Sequence, residues 1–106
     1  MSRRPADQAR IALLRALFPR IGPHRLVGAT SRDWASALFV GSRHRLGIAL
    51  QGADAAQRAD LLARELRETE LAIRGGFVAD IAVTARLDEP MPLLAIEALT
   101  IDEAGL

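Results

Sequence analysis

The residues most able to do chemistry are Arg43-His44-Arg45, preceded by Gly41-Ser42. Read as the tip of a hairpin, Arg43, His44 and Arg45 place two guanidinium groups beside an imidazole. Such a group holds a phosphate or carboxylate by charge-assisted hydrogen bonds. Neighbouring positive charge lowers the histidine pKa and leaves a neutral imidazole as a base. A solvated turn with no ligand would also carry these residues. Asp80 and Glu97 lie inside apolar strand patterns, where a carboxylate needs a partner or a raised pKa. On neighbouring strands and one face, the two would perform acid–base work or hold a divalent cation. The competing reading is a cross-strand ion pair for each, with an arginine such as Arg86 or Arg45.

The other candidates are weaker. His24 follows Gly22-Pro23, and no ligand spacing links it to His44, so no metal site is expected. Ser31, Ser36 and Ser42 permit a catalytic triad only on paper, without a nucleophile elbow. Gly75-Gly76 lies between a helix and a strand, the reverse of the order in which a helix N-terminus cradles phosphate. Trp34 reads as a plug at one end of the core or as a surface anchor. No cofactor is expected, and the chain reads more readily as non-catalytic than as an enzyme.

The chain has 106 residues, enough for one domain with one core. It has no cysteine, which removes a disulfide framework, a Cys-based zinc site and a thiol nucleophile. No apolar run approaches a membrane span, and Asp7, Gln8, Arg10 and Arg15 interrupt any leader-like stretch, so a cytoplasmic location is the expectation. Every basic side chain is arginine, which fits a GC-rich bacterial genome as well as forked anion recognition. The net charge of +1 hides an asymmetry. Residues 1–52 hold nine arginines against Asp7 and Asp33, and residues 53–106 hold five against eleven carboxylates. That asymmetry reads either as a basic face or as two halves that neutralise each other.

These residues need a scaffold, and periodicity supplies one. Ile11, Leu14, Leu17 and Phe18 predict a helix over 6–18, ended by Pro19 and Gly22-Pro23. Residues 24–33 are ambiguous between strand and loop. Alternation predicts strands on either side of a turn at Gly41-Ser42-Arg43-His44, the first from Trp34 to Val40 and the second from Arg45 to Gln51. Ala55, Ala59, Leu62, Ala63 and Leu66 predict a helix over 54–71, with Asp54 and Gln57 as a variant capping box. Residues 77–86 predict a strand with Phe77, Ala79, Ile81 and Val83 on one face. Residues 93–101 predict another, after a proline-containing loop at 88–92. The sum is a single α+β domain: an N-terminal helix, a hairpin, a helix and a second hairpin, with a four-stranded antiparallel sheet and the long helix on one face. Residues 1–5 and 102–106 are expected to fray.

One helix covers one face. The other carries a small-residue set, Ala35, Ala37, Gly47 and Ala49, joined by Phe39. Its cover is the N-terminal helix, a second copy of the chain, or a ligand. The resulting expectation is a non-catalytic binding or scaffold module, homodimeric through Ala35, Ala37, Phe39, Gly47 and Ala49. The alternative is a small enzyme or anionic-ligand domain using Arg43, His44, Asp80 and Glu97. A third reading is nucleic-acid binding through Arg3, Arg4, Arg10, Arg15, Arg20 and Arg25. Against it, the four aromatics, Phe18, Trp34, Phe39 and Phe77, lie mostly on apolar stripes. A single-strand platform needs aromatics interleaved with basic groups on an open surface.

Overall fold

The computed structural model describes residues 5–88 and 90–103. Helix α1 (Pro5–Ile21) leads into strands β1 (His24–Ala35) and β2 (Val40–Leu50). Helix α2 (Ala55–Glu68) and strands β3 (Ala72–Ile73), β4 (Gly76–Arg86) and β5 (Leu93–Asp102) follow. The sheet is antiparallel with five strands, in the order β1-β2-β5-β4-β3. The strand beyond the expected four is β3, two residues that fold back on Gly76 and Phe77 through a turn in which Gly75 takes φ +83°. Of the expected frayed ends, residues 1–4 and 104–106 lie outside the described residues, and Asp102 closes β5.

Helix α2 buries the expected stripe of Ala55, Ala59, Leu62, Ala63 and Leu66. Its capping box does not form: Asp54 makes no side-chain cap and pairs with Arg58 instead (3.2 Å). Helix α1 runs on past Pro19 to Ile21, because a proline in the last turn forfeits a single hydrogen bond. It ends at Gly22, whose φ of +79° is the left-handed stop. Its buried face is Ala6, Ala9, Leu13, Leu17 and Ile21, rotated from the expected stripe.

Both helices lie on the same face of the sheet and share one core. Leu13, Leu17 and Ile21 of α1 and Leu62 and Leu66 of α2 pack with Leu46, Ile48, Leu50, Val83, Leu94 and Ile96. The N-terminal helix therefore does not cover the second face.

Two expectations about the strands change. The first hairpin turns at Ser36–Phe39, not at Gly41–His44. The Ser36 N–H donates to the Phe39 carbonyl (2.8 Å), and the Phe39 N–H donates to Ser36 Oγ (3.2 Å). Arg43, His44 and Arg45 are thus mid-strand. The ambiguous segment 24–33 is the long edge strand β1, paired from His24↔Leu50 to Ala35↔Val40. Second, β4 shifts register between Val78 and Asp80. An extra residue reverses the alternation on either side of it. Val78, Ile81 and Val83 consequently share the core face, while Phe77 falls on the opposite face with Asp80, Ala82, Thr84 and Arg86.

Candidate functional site

Strand alternation divides Arg43-His44-Arg45 between the two faces. His44 points under α1 and is 2 % exposed. Thr100 Oγ1 donates to the Ser42 carbonyl (3.4 Å), so its oxygen accepts from His44 Nε2 (2.9 Å). That leaves Nδ1 to accept the Ser31 hydroxyl (2.6 Å). The histidine pKa falls to about 4, first because burial penalises the imidazolium and second because Arg10 of α1 repels it. Ser31–His44 has the spacing of a nucleophile and its base. An imidazole this weakly basic is, however, far from the pKa near the operating pH that general-base catalysis needs. The network serves to satisfy buried polar groups. Ser42 Oγ, beside it, is buried without a hydrogen-bond partner among the described residues.

Arg43 and Arg45 point the other way, onto the face that carries no helix. Their cross-strand neighbours on β1 are Arg32 and Thr30: Arg32 stands opposite Arg43, and Thr30 opposite Arg45. Beyond Arg45 stands Glu97, and beyond Arg43 stands Leu99. Arg45 and Glu97 form the cross-strand ion pair that the strand pattern allowed, with Nε and Nη2 of Arg45 each 3.0 Å from Oε1. Asp80 is on the same face as Glu97, in the register position opposite Leu99, while Glu97 stands opposite Ala82. The two carboxylates are therefore diagonal neighbours, and no group of three metal-ligating side chains forms among the described residues. His24 is remote from this face: its Nδ1 is 2.7 Å from the Gly22 carbonyl, and its ring packs on Phe18.

Thr30, Arg32, Arg43, Arg45 and Glu97 line a shallow concavity of about 520 Å³. Arg32 and Arg43 have no carboxylate partner among the described residues. By contrast Arg10 pairs with Asp7, Arg45 with Glu97, Arg58 with Asp54 and Arg64 with Asp60. A wider groove of about 920 Å³ lies between α1 and the β3–β4 turn, but its lining includes Asp102 beside Arg15 and Arg74.

Sequence reasoning missed Arg32 and Thr30, because the segment holding them has no clear strand period. The expected small-residue set also divides. Gly47 and Ala49 lie on the open face, Ala35 ends β1, and Ala37 and Phe39 sit in the hairpin turn. Arg3 and Arg4 lie outside the described residues. Of the other expected basic residues, Arg10, Arg15 and Arg20 are on α1, and Arg25 is on β1. Compared with protein-family models, with curated proteins and with solved structures, the chain matches none.

Proposed function

We propose that this chain is a non-catalytic module that binds a phosphate- or carboxylate-bearing ligand on the helix-free face of its sheet. The observation that carries this reading is the Arg32–Arg43 pair, two guanidinium groups in direct cross-strand register without an ion-pair partner among the described residues. Like charges directly opposite in a sheet are destabilising. An anion seated between them relieves that repulsion. The planar fork of arginine matches the oxygens of phosphate and carboxylate. Thr30 supplies a hydroxyl in the same concavity. A symmetric dimer through this face would instead need the arginines of one copy to meet the carboxylates Asp80 and Glu97 of the other.

Trp34, the chain's one tryptophan, is two residues from Arg32 and serves as an internal reporter. Titration with pyrophosphate at low ionic strength should change its fluorescence and raise the melting temperature. Both responses should weaken as salt is added and vanish in the Arg32→Ser/Arg43→Ser double variant. Pyrophosphate binding that is equal in the double variant, or absent from the native chain, overturns the reading.

A further inference from the structure

We infer that the ligand of this face is single-stranded nucleic acid, with bases stacked on Trp34 and Phe77 and phosphates held by Arg32 and Arg43. The inference rests on the anion-binding reading above and names its substrate class.

Register places Trp34 opposite Gly41, Gly41 opposite Ile101, and Ile101 opposite Phe77. One row across four strands therefore carries an aromatic ring at each end. Between them, Gly41 has no side chain and Ile101 is buried. The next row on the same face is Arg32, Arg43, Leu99 and Asp80. Rows on one face of a strand are about 7 Å apart, and three strand spacings put the two rings roughly 14 Å apart. Phe77 is 37 % exposed and Trp34 is partly exposed, so both rings offer surface to a ligand.

This is aromatic surface interleaved with cations that have no ion pair among the described residues, the pattern by which proteins hold single strands. A single nucleotide reaches one of two rings that far apart. A chain of linked bases reaches both. A duplex hides its base faces and would leave both rings idle. An acidic peptide would satisfy the arginines but gain nothing from flat rings. The cations lie on β1 and β2, nearer Trp34, whereas Asp80 lies on β4 beside Phe77. Phosphates therefore gather at the Trp34 end.

The test is fluorescence anisotropy with a labelled ten-nucleotide deoxythymidine strand. Competitors are a duplex of equal length, inorganic polyphosphate and polyglutamate. The single strand should bind more tightly than any competitor and should quench Trp34. Trp34→Ala and Phe77→Ala should each weaken single-strand binding by roughly 5- to 150-fold, the range for loss of one stacked base. Both variants should leave polyphosphate binding unchanged. Trp34→Phe, which keeps a ring, should retain most of the affinity, and circular dichroism verifies that each variant is folded. In Arg32→Ser/Arg43→Ser the slope of log affinity against log salt should shrink by roughly 1.4. Two outcomes overturn the inference: single-strand affinity that survives Trp34→Ala and Phe77→Ala, or duplex, polyphosphate or polyglutamate binding as tightly as the single strand. Either leaves the anion-binding reading standing. If pyrophosphate and every polyanion fail to bind at low salt, both readings fall together.

Discussion

Acid should destabilise this protein through one histidine. His44 has an ordinary pKa of 6.5 in the unfolded chain and about 4 in the fold. Because the folded value is the lower one, the unfolded chain takes up the proton first as pH falls. Stability is complete above pH 6.5, declines as pH drops below it, and the loss levels off below pH 4. Linkage gives a loss of about 2 kcal/mol by pH 5 and about 3 kcal/mol by pH 4. For a domain of this size, 3 kcal/mol corresponds to a drop of roughly 12–24 °C in melting temperature. The perturbation is His44→Gln, which retains an acceptor for Ser31 and a donor for Thr100 but cannot titrate. Urea unfolding followed by circular dichroism at pH 7, 5 and 4 gives the pH dependence of each protein. Carboxylates titrate in both, so the difference between the two profiles isolates His44. The variant should lose less stability on acidification, by about 3 kcal/mol at pH 4. Superimposable profiles would refute the reasoning, since His44 would then be as easily protonated in the fold as outside it.

Other outcomes follow from particular contacts. A Cβ added at Gly41 collides with the Thr100 carbonyl, so Gly41→Ala should cost roughly 1–3 kcal/mol in chemical denaturation. Arg58 donates to the Gln51 carbonyl (2.7 Å), the Ile21 carbonyl (3.0 Å) and the Pro23 carbonyl (2.8 Å), tying α2 to the end of α1 and to the end of β2. Arg58→Ala should therefore cost on the order of 2–3 kcal/mol, and Arg58→Lys should recover only part of it, as read by melting temperature. The Arg45–Glu97 pair is exposed at 79 % and 62 %, so a double-mutant cycle should assign it less than about 1 kcal/mol. Ser42→Ala removes a buried hydroxyl that has no partner among the described residues, and should leave stability unchanged or raise it by up to about 1 kcal/mol.

Local pattern revealed the parts whose period is strong and whose ends are marked. Helix α2 buries the five residues its spacing selects, because a 3.6-residue stripe has one way to face a sheet. Strands β4 and β5 fall within a residue of their expected bounds. The first hairpin was displaced because Arg43, His44 and Arg45 resemble a solvated turn, whereas alternation on a mid-sheet strand sends the arginines to water and the histidine to the core. The Arg45–Glu97 pair was legible as a possibility, since a carboxylate inside a strand wants a cation opposite it. Which arginine it would meet depends on register.

The sequence by itself determined an α+β chain with two helices, the buried stripe of α2, and a surplus of arginine in the first half. Tertiary structure alone decided that both helices share one face, that Arg32 lies opposite Arg43, and that Phe77 joins Trp34 on the uncovered side. The physical reason is parity. A strand sends successive side chains to opposite faces, so one extra residue, such as that between Val78 and Asp80, exchanges the faces of everything on one side of it relative to the other. Composition and spacing carry no mark of where that residue will be inserted, because it is fixed by pairing with a strand 20 residues further along the chain.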